Sequence, residues 1–270
     1  MNNKLIITDL DGTLLDLNQL ISPENEKAIQ RFKEEGGLFT FATGRMERAV
    51  KAFVEQVKVD IPLILYNGAK IYCPLTKRVL FERDYELSIS FYKKLIELSD
   101  DQVSLLFYQN GDIYTHEKNS VTEGYEKKDS VHVKVRNDVY NAPINKTLII
   151  AERSKLEQYE KFVKESPFAF SLVYSESNYL EILPNGVSKG KAVMELKKLL
   201  NRPSIETICI GDNLNDYTMV KTADKGIAVE NAHPDLKEVA SEVTFHHENH
   251  AIAKVISDLY SERDLFMKMK

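Results

Sequence analysis

The chain has 270 residues, 43% of them hydrophobic and 29% charged, with a net charge of −5 and a pI near 5.8. This length allows one large or two ordinary domains. The acidic balance and the lack of any basic block exclude a protein built to coat nucleic acid or an anionic membrane. The first apolar run is too short for a signal peptide, and no stretch approaches membrane-spanning length. Cys73 and Cys209 form no motif with each other. A cytoplasmic protein with two buried structural thiols is therefore expected.

Lys4 to Thr8 reads as a buried strand that stops in Asp9-Leu10-Asp11-Gly12-Thr13. Ser22-Pro23 opens a helix, with serine as its cap and proline at its first position, and Gly36-Gly37 closes it. Leu38 to Ala42 is a second buried strand ending in Thr43-Gly44-Arg45, a helix follows through Ala49, Phe53 and Val57, and Pro62 to Tyr66 is a third strand ending at Asn67-Gly68. Strand alternating with helix argues for a parallel sheet with right-handed crossovers.

The period then changes. A hairpin is expected from Ala69–Tyr72 and Arg78–Glu82, a helix over 86–98, and a second hairpin around Asn110-Gly111. Further strands are expected over 131–135, 146–151, 168–174 and 179–183, with a helix over 156–163. Their alternating character predicts an antiparallel sheet with one covered side. From Val187 the first pattern resumes: a helix to Leu200, a buried strand over 206–210 stopped by Gly211-Asp212-Asn213-Leu214-Asn215-Asp216, another helix, a strand near 226–229, a helix after Pro234, a short strand near Val243 and a last helix from Ala251. The expected architecture is a Rossmann-like parallel-sheet core from residues 1–82 and 186–270, with an α+β cap inserted over 83–185.

Three polar sets follow buried strands, where α/β folds place their ligands, and a fourth opens a helix. Asp9 and Asp11 are two apart, so on a regular strand both face one side; a hard cation such as Mg²⁺ is the simplest reason to hold them together. Asp9 can attack phosphorus and carry the phosphoryl group, dividing one displacement into two. Mg²⁺ held by Asp9, the Asp11 backbone carbonyl and Asp212 would screen nucleophile from phosphate. Lys189, the Thr43 hydroxyl and the Gly44 amide would hold the phosphoryl oxygens, and the Asp11 side chain would serve as general acid and base.

The four stretches Asp9-Leu-Asp-Gly-Thr13, Ala42-Thr-Gly-Arg45, Val187-Ser-Lys-Gly-Lys191 and Gly211-Asp-Asn-Leu-Asn-Asp216 resemble the four motifs of the haloacid dehalogenase superfamily of phosphatases. Their order, the inserted segment and Asn67-Gly-Ala-Lys-Ile71 are similar to its Cof-type branch with a type IIB cap, and the resemblance covers essentially the whole chain. It implies Mg²⁺-dependent hydrolysis of a small phosphorylated metabolite, a sugar phosphate or a phosphorylated cofactor, beneath a closing cap. It also implies that Asp9 is nucleophile and metal ligand, that Asp11 is acid/base and metal ligand, and that Asp212 and Asn213 hold the metal. The Leu10 amide, Thr43, Gly44, Lys189 and Asn215 would contact phosphate, with Asp216 supporting Lys189 or the metal shell. Arg45 meets the leaving group or forms a structural ion pair, and both readings stay open.

Two stretches depart from the family pattern, Glu230-Asn231-Ala232 and His246-His247-Glu248-Asn249-His250. Both are expected at the cleft rim, the second as a solvated loop. Most cap aromatics are expected to pack in the sheet, with Tyr174 and Asn178 as specificity candidates. No nucleic-acid or membrane partner is expected, and the chain would act as a monomer or homodimer. Two other functions share these motifs: a phosphotransferase or sugar-phosphate mutase, and a non-catalytic sensor of a phosphorylated ligand.

Overall fold

The computed structural model describes residues 1–268, with side chains through Arg263. The first third runs β1 (Lys4–Thr8), α1 (Pro23–Glu34), β2 (Leu38–Phe41), α2 (Glu47–Gln56), β3 (Leu63–Leu65), β4 (Lys70–Cys73) and β5 (Arg78–Glu82). The inserted part follows as α3 (Ile89–Glu97), β6 (Ser104–Gln109), β7 (Asp112–Thr115), α4 (Ser120–Asp129), β8 (Val133–Val135), β9 (Lys146–Ile150), α5 (Arg153–Glu165), β10 (Phe170–Glu176) and β11 (Tyr179–Pro184). The chain then returns through α6 (Lys189–Leu199), β12 (Glu206–Gly211), α7 (Tyr217–Thr222), β13 (Lys225–Ala228), α8 (Pro234–Val239), β14 (Glu242–Val243) and α9 (Ala251–Lys268). Local chemistry sets several boundaries. The Ser22 hydroxyl accepts from the Asn25 amide ahead of Pro23, and Ser188 caps α6 by accepting from the Lys191 amide. Asn110 (φ 52°) and Gly111 (φ 77°) make the tight β6–β7 turn that an Asn-Gly pair predicts.

The core sheet has the order β14-β13-β12-β1-β2, and all its pairs are parallel. β1 lies inside it, with Leu5, Ile6 and Ile7 fully buried, which is why the strand reads as a continuous apolar run. β3 touches this sheet through a parallel bridge from Ile64 to Ala42, then turns back to form an antiparallel sheet with β4 and β5. Among the described residues no helix is long and apolar enough to cross a membrane. Cys209 is buried in β12 as expected, whereas Cys73, at the end of β4 where the hairpin leaves the core, is only half-buried; both thiols are free.

The second sheet, ordered β10-β11-β9-β6-β7-β8, differs from expectation in two ways. β8 pairs with β7 in parallel, because α4 carries the chain back across the sheet before β8 begins. The sheet also has two covered sides, since every residue of β6, β9 and β11 is buried. Leu105, Phe107, Ile149, Leu180 and Ile182 pack beneath α3 and α5 with Phe91, Leu95, Leu156 and Tyr159. Leu106, Tyr108, Leu148 and Tyr179 face the other way, toward the core, together with Tyr125 of α4. This second covered side roofs the site.

Candidate active site

Strand register brings the predicted residues together. Thr8 pairs with Ile210 on one side and with Phe41 on the other, so β1, β12 and β2 end at one level. The Asp9 amide continues the ladder to the Ile210 carbonyl at 2.9 Å, and the Ala42 amide reaches the Thr8 carbonyl at 3.0 Å. Asp9, Thr43 and Asp212 therefore emerge side by side at the carboxyl ends of adjacent parallel strands. Gly12 closes the loop after Asp9. Its φ is 70°, and a Cβ there would stand 2.5 Å from Asp212 Oδ2, so only glycine fits.

Lys189 lies beneath this edge. It is fully buried, with its ammonium donating to Asp216 Oδ1 at 2.6 Å and lying 2.9 Å from Asp9 Oδ1. The other Asp216 oxygen accepts from the Asp212 and Asn213 amides, at 2.9 and 3.3 Å. Asp212 Oδ1 accepts from the Thr13 hydroxyl at 3.1 Å. One oxygen each from Asp9, Asp212 and Asp216 lies within 4.8 Å of the others.

Three carboxylates, two buried and one half-buried, face one ammonium, and the protonation equilibria reflect it. Burial and then Asp216 push the Asp9 carboxyl up to about 7, although Lys189 opposes them. Burial, Asp216 and Asp9 push Asp212 well above the usual carboxylate range. Burial would lower Lys189, but Asp216 and Asp9 hold it charged, above its ordinary value. The site is short of positive charge by about two units, and its free donors are carboxylate oxygens; a hard divalent cation fits both conditions.

Arg45 lines the cavity and is paired with Asp11. Arg45 grips Asp11 with Nε at 2.8 Å from Oδ2 and Nη2 at 2.5 Å from Oδ1. Burial alone would raise the Asp11 carboxyl, but the guanidinium holds it below its ordinary value. The Thr43 hydroxyl accepts from the Arg45 amide, and Asn215 Nδ2 donates to Asn67 Oδ1 at 3.2 Å. Asn215 Oδ1 is buried without a partner. The Leu10 carbonyl accepts the amides of Thr13, Leu14 and Leu15, which shapes the loop. Asn213 is engaged elsewhere: Nδ2 donates to the Ser175 carbonyl and Oδ1 accepts from the Leu214 amide. Asp216, predicted in a supporting role behind Lys189, lies with Asp9 and Asp212 in one acidic group.

The inserted sheet closes the site from above around a cavity of about 260 Å³. Lys146 and Glu181, both buried, pair at 3.1 Å. Lys146 also donates to the Gly44 carbonyl at 3.0 Å, while Glu181 accepts from Asn67 Nδ2 and the Ser175 hydroxyl, each at 2.7 Å. Tyr108, Tyr125, Lys128, Asp129, Glu176 and Tyr179 complete the roof. None of these was singled out as a site residue beforehand. For Glu181 a signal existed: a lone carboxylate inside Tyr179-Leu-Glu-Ile-Leu183, on the same strand face as Tyr179 and Leu183, has to be paired when buried. Lys128 and Asp129 had none, because α4, with Gly124 and two β-branched residues in ten, has too little helix character to read.

The remaining candidates lie apart. Tyr174 donates to Glu160 and lies under the Arg153 guanidinium, 3.7 Å from ring centroid to Cζ, and neither it nor Asn178 lines the cavity. The two departing stretches do not line it either, contrary to expectation. Asn231 donates to the Gly12 carbonyl at 2.8 Å and accepts from the His247 amide, so it braces the Asp9 loop from behind. His247 is buried with Nδ1 against the Leu15 carbonyl and its ring 4.7 Å from that of His246, while His250 bonds Ser22, so the ring nitrogens are engaged separately and form no metal-ligating group among the described residues.

A family model described as haloacid dehalogenase-like hydrolase matches residues 6–256. Phosphatase YwpJ of Bacillus subtilis is 28% identical, with 95% of this chain and 99% of that protein covered. The 5-amino-6-(5-phospho-D-ribitylamino)uracil phosphatase YwtE of the same organism is 30% identical, with 96% and 98% covered. Among solved structures, a haloacid dehalogenase-like hydrolase from Bacteroides thetaiotaomicron superposes with a TM-score of 0.82 at 26% identity, covering 95% of this chain and 99% of that one. With the motif geometry above, these matches make the chain a member of the haloacid dehalogenase-like hydrolase family, a hydrolase of its phosphatase type.

Proposed function

We propose that the cleft hydrolyses phosphomonoesters of small metabolites through a phosphoryl group carried on Asp9. The observation that supports this best is the clustering of Asp9, Asp212 and Asp216 at the edge of the parallel sheet, with buried Lys189 paired to Asp9 and Asp216. A pure binding site gains nothing from crowding three carboxylates where a phosphate must enter. The likeness to YwtE, whose name specifies a phosphorylated ribityl compound, supports a small phosphorylated metabolite as substrate.

An Asp9 oxygen attacks phosphorus as the ester P–O bond breaks, and the departing alkoxide takes a proton from Asp11. Water then attacks the same phosphorus while Asp11 takes its proton, and the Asp9–P bond breaks to release inorganic phosphate. Lys189, the Thr43 hydroxyl and the Gly44 amide hold the phosphoryl oxygens, and Asp216 fixes the lysine. Mg²⁺ would be held by Asp9, Asp212 and the Asp11 carbonyl, where it supplies charge neutralisation to the phosphoryl group. Paired with Arg45, Asp11 is held ionised, as the second step requires of a base. For the first step it has to part from Arg45 and take up a proton from solvent, which it then delivers to the leaving oxygen. Residues 83–185 act as a cap over the core of residues 1–82 and 186–270, and Lys146 joins the two through the Gly44 carbonyl.

The test is free phosphate released from a panel of phosphorylated metabolites in Mg²⁺ and in EDTA. Cation-dependent release is expected, falling by at least ~100-fold in EDTA, since lost charge neutralisation is worth several kcal/mol. Undiminished release in EDTA would contradict the reading. Phosphate moved to an acceptor without appearing free would identify a phosphotransferase instead.

A further inference from the structure

We infer that the cleft selects phosphomonoesters whose alcohol carries no second negative charge, uncharged or amino-bearing hydroxylated alcohols, and rejects those with a second phosphate or a carboxylate. This rests on the phosphatase reading and adds what it leaves open, the charge of the leaving group.

The cations come first. Among the described residues that line the cavity, Arg45, Lys128 and Lys146 are the basic ones, and each is already paired. Arg45 holds both oxygens of Asp11. Lys128 lies 2.5 and 2.7 Å from the two oxygens of Glu176. Lys146 is buried against Glu181 and the Gly44 carbonyl. Lys189, below the floor, is shared by Asp9 and Asp216. A pocket that recognises a second phosphate or a carboxylate presents an arginine or lysine free to make charge-assisted bonds. Here such an anion would have to compete with Asp11 at Arg45, with Glu181 at Lys146 and with Glu176 at the half-exposed Lys128.

The carboxylates point the same way. The inserted segment contributes Asp129, Glu176 and Glu181 to the cavity against Lys128 and Lys146, a surplus of one negative charge. Asp129 forms no ion pair among the described residues, and Arg45 and Lys128 act on it only at longer range. Like charges brought this close cost specificity against the wrong ligand more than they cost the right one. The same roof suits hydroxyl groups. The Tyr108 and Tyr125 hydroxyls bond each other at 2.5 Å and the Ser175 hydroxyl is held by Glu181, with Tyr179 beside them, so the roof between the ion pairs is lined by neutral hydroxyl groups. At about 260 Å³ the cavity falls below the ~300–1,000 Å³ of sites for drug-sized ligands, so a compact alcohol meets this roof directly.

The experiment measures kcat/KM for a hexose 6-phosphate, its 2-amino analogue, the matching sugar-acid 6-phosphate and a hexose 1,6-bisphosphate. 4-Nitrophenyl phosphate reports phosphatase chemistry independently of these. The neutral and amino sugars should exceed the acid and the bisphosphate by at least about tenfold, the equivalent of one unfavourable contact of ~1.4 kcal/mol. An acid or bisphosphate turned over as well as the neutral sugar overturns the inference. The variants Glu176→Gln and Asp129→Asn, singly and together, should narrow that ratio by about tenfold; a folded double variant with an unchanged ratio also overturns it. Failure of the phosphatase reading looks different: no release from any compound, including the aryl ester. The charge ranking is then read from calorimetric binding of the same four compounds to the wild-type protein, and equal or tighter binding of the acid or bisphosphate counts against it.

Discussion

Asp9→Asn is expected to reduce phosphate release by at least about four orders of magnitude, the scale seen when a nucleophile is removed from a machinery that acts as a unit. It is also expected to leave the metal-free protein as stable as the wild type, or more so. Ionised Asp9 is buried in a group of three carboxylates, and burial and Asp216 push its carboxyl up to about 7 from an ordinary 3.8. The folded state therefore binds that proton more tightly than the unfolded chain does. Stability contributed by protonated Asp9 is present at low pH and lost as pH rises from about 4 to about 7. Asparagine keeps the neutral state at every pH. Thermal melts in EDTA at pH 8 read the stability and phosphate assays in Mg²⁺ read the activity. An inactive variant that melts far below the wild type would mean that Asp9 is structural, and an active variant would remove it from the chemistry altogether.

Lys189→Met is expected to do the opposite to stability. Its ammonium is fully buried and is the only cation in contact with Asp9 and Asp216 among the described residues. Removing one partner of a buried ion pair costs roughly 3–5 kcal/mol, because the other charges stay behind unpaired. In a chain of this size that lowers Tm by about 10 °C. Activity should fall by at least ~100-fold, as for loss of a donor aimed at developing charge. Divalent cation should restore part of the lost Tm, since it binds the folded state and supplies the missing positive charge. Arginine should not substitute, since the guanidinium is a planar fork rather than a compact ammonium and cannot reach Asp9 and Asp216 from one point. A Tm within about 2 °C of the wild type would show that the acidic group does not carry the charge assigned to it.

The core was legible in the sequence because two signals coincide there. β1, β2 and β12 are apolar runs buried on both faces, and each stops abruptly in polar residues that could have no packing role. Register then does the rest: once Thr8 pairs with Ile210 and Phe41, Asp9, Asp212 and Thr43 must be neighbours. The roof was not legible in the same way. Its sheet alternates, which reads as one wet face, and only the folded chain shows that the second face is buried against the core. Lys146 begins a strand and looks solvated in sequence, yet its ammonium reaches the Gly44 carbonyl. α4 was missed outright, and with it Lys128 and Asp129. Conversely, the histidine stretch and Asn231 drew attention as departures from a pattern, and their geometry shows them bracing the Asp9 loop rather than facing substrate.

Trapping the phosphoryl group tests the central claim most directly. Asp11→Asn removes the base for the second step, while 4-nitrophenyl phosphate has a leaving group good enough to depart without an acid. In Mg²⁺ this variant should release about one equivalent of nitrophenol per chain in a burst and then stall, as an accumulating covalent intermediate requires. Mass spectrometry of the quenched protein should place one phosphoryl group on the peptide that contains Asp9. A phosphoryl group found on any other residue, or steady turnover at the wild-type rate with none bound, would contradict the account.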